Sequence, residues 1–412
     1  MRALISATLS KAGGAVFTLL LVVYLGQMTG SRDSGYFYFT LALVVMLSQL
    51  LRLGLDGVLL RRASRHHSAR EHAALQRLSG DVLVYLLVGG TLLLLGGMAV
   101  ERHVAPLLFP GESLLLYRVA LYSCLPFTLM WSSAALLKGI GRTALAVFIE
   151  AGSVPLLVLL LMLAQGGGAD YREAAKALLQ ANLLAAALAM ALVYRHAGCR
   201  ILPAGLLRRC LSLLQDALQS VWVAMSNTLI VWSPLFLLGM LATPADVGIY
   251  NAAFRVTMVV GAFSAVFRGI ATPRLAGMMH RSESPVPYLK RAMSPIVIAG
   301  LLLVLAGELS FDWVFAQMGS GFAAASGLAM LMLVGMLANV LFVMMETQLI
   351  LADRNDLLRA NALFTVQFAL PLTLLLIAHF HAYGAALGFV LTNILSRSNM
   401  LYLFNRQYDC RI

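Results

Sequence analysis

Residues 247–275 read VGIYNAAFRVTMVVGAFSAVFRGIATPRL, from Val247 to Leu275, a run apolar enough to cross a bilayer that nonetheless carries Arg255 and Arg268. About 20 apolar residues cover the roughly 30 Å of membrane hydrocarbon, so the stretch reads as a membrane helix. A charge inside such a helix marks either a functional contact or a long side chain reaching back to the headgroups. The two arginines are 13 residues apart, roughly 20 Å along an α-helix and about 140° around it. One anionic group cannot touch both. Arg255, near the tyrosine-bearing end of the run, is the better candidate for a cavity, whereas Arg268 sits close to Arg274 and reads equally as an anchor.

Runs of this kind recur along all 412 residues, which are 60% hydrophobic and only 12% charged, with a mean hydropathy of +0.85. A soluble domain carries about a quarter of charged residues. The chain is therefore an integral membrane protein, and no long polar segment leaves room for a separate soluble domain. Apolar windows predict twelve spans near residues 4–27, 36–60, 82–100, 114–137, 143–164, 174–194, 219–242, 248–273, 292–312, 324–350, 358–379 and 382–404. The first is read as a retained helix, because no small-residue cleavage site follows it.

The formal charge of +12 would suggest nucleic acid in a soluble protein, but here the basic residues fall between the apolar runs. Connections after even spans, with the tails, hold about 20 of them, against about four on the other side (Arg32, Arg102, Arg172 and Lys176). By the positive-inside rule both termini are expected in the cytoplasm. Nucleic acid is not an expected partner. The segment LLRRCLSLLQDALQS, Leu206 to Ser220, reads either as an interfacial helix or as a cytoplasmic extension of the seventh span. Cys124, Cys199, Cys210 and Cys410 show no paired spacing, so neither a disulfide framework nor a metal centre is indicated.

The halves repeat. At an offset of 213 residues DSGYFYF (Asp33 to Phe39) lies over DVGIYNA (Asp246 to Ala252), Arg61 over Arg274, and LLKGIGRTA (Leu136 to Ala144) over LILADRNDL (Leu349 to Leu357). A repeat unit with an even number of spans gives two copies of the same topology, as in parallel-repeat transporters. The expected organisation is all-α, with an amino-terminal six-helix lobe at 1–196, a linker at 197–218 and a carboxy-terminal six-helix lobe at 219–412.

The ordered set GLDGVLLRRASR, LLKGIGRTALAVFIEAG, DVGIYNAAFRV and AYGAALGFVLTNIL resembles the Wzx-type flippases of the bacterial polysaccharide transporter family. Their superfamily also holds multidrug extruders and lipid II flippases. The resemblance implies a transporter without a cofactor that moves an undecaprenyl-pyrophosphate-linked sugar repeat unit from the cytoplasmic to the periplasmic leaflet by alternating access. It further implies residence in the bacterial inner membrane, with a polysaccharide polymerase and a chain-length regulator as candidate partners, in assembly of O-antigen, capsule or exopolysaccharide.

A pyrophosphate-linked cargo needs a wet cationic path, and arginine matches phosphate with a fixed fork of donors that stays charged at every relevant pH. Cations inside spans are Lys11, Arg52, Arg118, Arg255, Arg268 and Arg397. Arg118, a turn inside its span, reads as an interfacial anchor. The others are the substrate-binding candidates. Arg52 precedes Asp56 by four residues, so the two share a helical face and can pair. Asp56, Glu150 and Glu346 fall in inner halves of spans and serve either ion coupling or neutralisation of an arginine. Tyr36 to Phe39 could stack on sugars or form an interfacial belt. Two rivals remain. A multidrug or cation extruder of the same superfamily tends to use an acid in the first helix, where this chain offers Lys11. A polytopic enzyme of polysaccharide assembly would need a substantial outer loop, whereas here only His379 and His381 cluster at a short outer turn, and no nucleotide-binding motif occurs.

Overall fold

A computed structural model of the chain describes residues 2–408 apart from 110–113, 167–169, 282, 285 and 353. Among these residues there are helices and no strands. The chain divides into two compact units, Met1–Thr228 and Leu229–Ile412.

In the first unit α1 (Arg2–Arg52) is two arms joined at Gly30, whose φ of 73° and ψ of −178° only glycine adopts at little cost. Gly14 on the first arm lies against Ala151, and Arg52 at the far end of the second acts electrostatically on the neighbouring Glu150. The arms therefore run antiparallel, as spans one and two. The second ends earlier than the expected residue 60. Leu53 (φ 48°) and Gly54 (φ 90°) both leave helical space, and the chain turns into α2 (Leu55–Ser68). This helix buries Leu55, Val58, Leu59 and Ala63 on one stripe and carries Arg61, Arg62 and Arg65. Gly139 permits that packing, because a Cβ there would meet the Cβ of Ala63 at 2.6 Å and the carbonyl oxygen of Leu60 at 3.0 Å.

The remaining helices of the unit are α3 (His72–Leu108), α4 (Leu114–Gly139), α5 (Thr143–Phe148), a π-helical turn (Ile149–Ser153), α6 (Val154–Ala164) and α7 (Tyr171–His196). The central helix is α4, and it packs on α7 through Ala174, Ala177, Ala181, Ala185 and Ala189 of the latter, all buried. Lipid gives helices no hydrophobic reason to associate, so small residues that bring backbones close supply the attraction. Apolar side chains left on the outside, such as Leu87, Leu92 and Leu95 of α3, suit hydrocarbon. Tyr36, Phe37, Tyr38 and Phe39 are buried, which corrects the belt and mouth readings. Tyr36 rests on Tyr171 with ring centroids 5.2 Å apart, and Phe39 rests on Phe109 at 5.1 Å.

The helix α8 (Leu206–Leu241) is continuous, so Leu206–Ser220 is an extension of the seventh span. Its start is tied to the first unit. Arg209 Nε donates to Asp81 Oδ2 at 2.8 Å, Arg62 bonds Asp216 Oδ2 at 2.5 Å and Ser212 Oγ at 2.9 Å, and the Arg200 amide donates to the Gln76 carbonyl at 2.9 Å.

In the second unit the end of α8 is followed by α9 (Pro244–His280), α10 (Val286–Ala316), a 3₁₀ turn (Ser320–Phe322), α11 (Ala325–Leu351) and α12 (Asn355–Tyr408). The DVGIYNA motif is core: Tyr250 is fully buried, stacks on Phe254 at 6.1 Å, and Phe254 meets Phe389 edge-on at 5.5 Å. Against α9, α10 and α12 packs α11. The last helix breaks at His381 (φ 48°, ψ −122°) and folds back on itself. Gly384 faces Leu376, Gly388 faces Thr373, and Asn361 bonds Ser396, so the two arms keep one antiparallel register along their length.

Among the described residues eight helices are long and apolar enough to cross a membrane. Two of these, Leu9–Arg52 and Asp356–Gln407, hold two spans each across the breaks at Gly30 and His381. With α8 and α9 the twelve expected spans are present, six in each repeat. The protein is a multi-pass, all-α membrane protein.

Candidate functional site

In the first unit four charged residues, Arg52, Asp56, Lys138 and Glu150, form two neighbouring ion pairs. Arg52, on the last turn of α1, is 4% exposed. Its Nη1 donates to Asp56 Oδ2 at 2.6 Å and its Nη2 to Gln49 Oε1 at 3.0 Å, while its Cζ stands 5.1 Å from the Trp131 ring centroid. The break at Leu53 and Gly54 makes this arrangement, because it moves Asp56 from the expected span into the first turn of α2. Asp56 then faces back toward Arg52. Close by, Lys138 Nζ at the end of α4 donates to both oxygens of Glu150 at 2.7 and 2.6 Å. Glu150 lies in the π turn, which adds one residue to a helical circuit and re-aims the side chains around it. Gly14 and Gly152 let the first arm of α1 approach that turn, since a Cβ on Gly14 would stand 2.8 Å from the Ala151 backbone. Two cations and two carboxylates thus balance one another.

In the second unit Arg397 on the last arm of α12 donates from Nη1 to Glu346 Oε2 at 3.0 Å and from Nη2 to Asn339 Oδ1 at 2.6 Å. Both partners are on α11. A polar chain continues beside them, with Asn399 donating to Asn361 at 2.9 Å and Asn361 to Ser396 at 3.2 Å. Arg255, half-buried on α9, holds its Cζ 5.4 Å from the ring centroid of Trp232 on α8.

The expected site residues are therefore not one cluster within a unit. Lys11 is exposed near the start of α1. The side chain of Arg268 lies outside the described residues. Arg118 has a partner that the sequence reading did not assign, because its Nε and Nη2 donate to the two oxygens of Glu101 at 3.1 and 2.9 Å. Lys138, Trp131, Gln49 and Asn339 were also not anticipated. Lys138, Trp131 and Asn339 join their partners through tertiary packing, whereas Gln49 shares a helical face with Arg52 three residues on, so the spacings of Gln49, Arg52 and Asp56 were the signals in the sequence. Among the described residues no group of three His, Cys, Asp or Glu side chains could hold a metal ion.

Two six-span repeats of this kind, with arginines held inside helical units, make a multi-pass, all-α membrane fold. The model of the polysaccharide biosynthesis protein family matches residues 1–279, and the chain belongs to that family. Solved structures share the fold, and three of them show how closely. An inward-facing multidrug resistance MATE family transporter of the MOP superfamily has a TM-score of 0.73 at 15% identity, covering 96% of this chain and 94% of that one. The lipid II flippase MurJ, in an inward closed conformation, has a TM-score of 0.73 at 12% identity over 97% and 87% of the two chains. A point mutant of the Vibrio cholerae MATE transporter VcmN has a TM-score of 0.63 at 16% identity over 98% and 96%. No curated protein matches the chain in sequence.

Proposed function

We propose that this transporter flips undecaprenyl-pyrophosphate-linked oligosaccharide from the cytoplasmic to the periplasmic leaflet by alternating access. The observation that carries the reading is that arginines inside the helices of both units, buried Arg52 and half-buried Arg397, are held by a carboxylate rather than left bare, Arg52 by Asp56 and Arg397 by Glu346. A bare guanidinium inside a membrane helix costs several kcal/mol. A carboxylate removes that cost at rest, and an arriving phosphate can take its place on the same fork of donors. The site is a latent cation. The displaced carboxylate must then be solvated or take a proton, which gives Asp56, Glu150 and Glu346 a route to ion coupling.

Arg255, poised over Trp232, and Lys11 extend the cationic path on this reading, as does Arg268. The reading also places the protein in the bacterial inner membrane with both termini in the cytoplasm. Residues 197–218 connect the two lobes, and a polymerase and a chain-length regulator are its partners in surface polysaccharide assembly. A multidrug exporter shares the fold, but the first span here carries Lys11 and no acid to hold a coupling cation. The experiment is complementation of a flippase-null strain by Arg52→Ala and Arg255→Ala at normal membrane levels. Both are expected to fail, and full complementation by both refutes the assignment.

A further inference from the structure

Away from the residues used so far, the second unit has a pocket of about 480 Å³ where α9 gives way to α10. Its walls hold Arg274, Arg281 and Arg291 against a single carboxylate, Glu283. Arg274, Gly277, Met278 and Arg281 follow one face of the last turns of α9, at the spacing that places side chains one above another. Tyr288 and Arg291 close the other side from the first turns of α10. Two of the three arginines are already oriented. Arg281 donates to both oxygens of Glu283 at 2.8 and 3.1 Å, and the Arg274 Cζ stands 6.0 Å from the Tyr288 ring centroid. Gly277 leaves the floor without a side chain, and a Cβ there would stand 3.6 Å from Arg281 Nη1.

We infer that this pocket binds a phosphate-bearing headgroup at the membrane surface, a site separate from the translocation path. Three guanidinium forks around one carboxylate select an anion with several oxygens. Depth selects the source. Arg291 immediately precedes the apolar span expected at residues 292–312, which puts it at the headgroup edge of that span. Basic pockets at such positions hold anionic lipids. The proposed orientation puts the pocket on the cytoplasmic leaflet, and its occupancy does not depend on what the protein transports.

The test uses the full-length protein in neutral detergent, with retained lipid counted by native mass spectrometry after addition of phosphatidylglycerol or, as a zwitterionic control, phosphatidylcholine. Wild type is expected to retain phosphatidylglycerol in preference. Arg274→Gln with Arg291→Gln should weaken that retention by roughly tenfold or more, the loss expected for charge-assisted hydrogen bonds. Gly277→Leu should do the same with every charge kept, because leucine is a good helix former and fills the floor. Inorganic phosphate is the second arm. If it competes with phosphatidylglycerol at comparable concentration, the occupant is soluble phosphate, and if it does not, the occupant is lipid. Equal retention of the two lipids, or undiminished retention in Gly277→Leu, overturns the site.

Discussion

Arg52 and Asp56 can be separated into a working cation and its neutralising partner by a double-mutant cycle. The Arg52 side chain is 5% exposed and that of Asp56 is 35% exposed. Removing one partner of a fully buried pair costs about 3–5 kcal/mol, and exposed pairs contribute less than about 1 kcal/mol. With Asp56 partly in water, Asp56→Asn should cost about 1–2 kcal/mol of stability. Arg52→Gln also gives up the stacking on Trp131, and it should cost a similar amount. Combining the two removes both charges, so the unfolding temperature of the double variant should recover toward wild type.

Transport should behave differently. If the guanidinium grips a phosphate in the translocation step, its loss removes about 1.5–3 kcal/mol of charge-assisted hydrogen bonding, or roughly tenfold to 150-fold in rate. Arg52→Gln and the double variant should both show that loss. Asp56→Asn keeps the cation and should stay within about threefold of wild type, since less than about 0.7 kcal/mol of transition-state stabilisation is at stake. The assay is flipping of a fluorescent lipid pyrophosphate in proteoliposomes, with thermal unfolding measured on the same preparations. Recovery of transport together with stability in the double variant would refute the reasoning, because the pair would then be only a structural tie.

Three other outcomes are expected. Gly384→Ala should destabilise the second unit by about 1–3 kcal/mol or prevent insertion, because its Cβ would stand 2.0 Å from the Leu376 carbonyl oxygen and backbone cannot yield as a side chain does. Gly13→Ala, with nothing within 4 Å, should be neutral or slightly stabilising, and thermal unfolding of the two variants checks the contrast. Glu150→Gln and Glu346→Gln should flip lipid at a rate that no longer depends on an imposed ion gradient, and unchanged dependence in both removes these carboxylates from coupling. The Arg281 guanidinium bonded to Glu283 holds that carboxyl below its usual range. A depressed folded-state value means that the pair's contribution is complete above the ordinary carboxylate value of about 4.3 and fades as pH falls through the lower one. Amide exchange in the turn after α9 should therefore be steady from about pH 7 to 5, once corrected for its intrinsic rate, and rise below about pH 4. Glu283→Gln should abolish the rise.

Hydropathy made the membrane helices visible, because lipid acts on every residue of a span and leaves a signal some 20 residues long, and motifs matched at one offset made their repeat visible. Shorter events left less. Leu53 and Gly54 end a helix inside an apolar run, and no turn residue other than the glycine announced it. The π turn at Ile149–Ser153 has no compositional mark at all. Pairs four residues apart on one strip of chain could be read, as with Arg52 and Asp56. Glu346 and Arg397 are 51 residues apart in sequence, and Glu101 and Arg118 are 17 apart, so only packing brings them together. The aromatic run Tyr36–Phe39 was misread for a related reason. Hydropathy cannot tell a ring turned to lipid from one turned to a neighbouring helix.

The fold-back of α12 at His381 leaves almost no polar chain between its two arms. On the proposed orientation this turn is at the outer face, so very little has to be carried across the bilayer when the last two spans are made. The arms are also in register from Asn361 beside Ser396 to Leu376 beside Gly384. The hairpin therefore holds both sides of its own polar contacts, Asn361 with Ser396 and Asn399, without help from the rest of its lobe. A ribosome stalled between the arms would hold a span whose polar partners had not yet been synthesised.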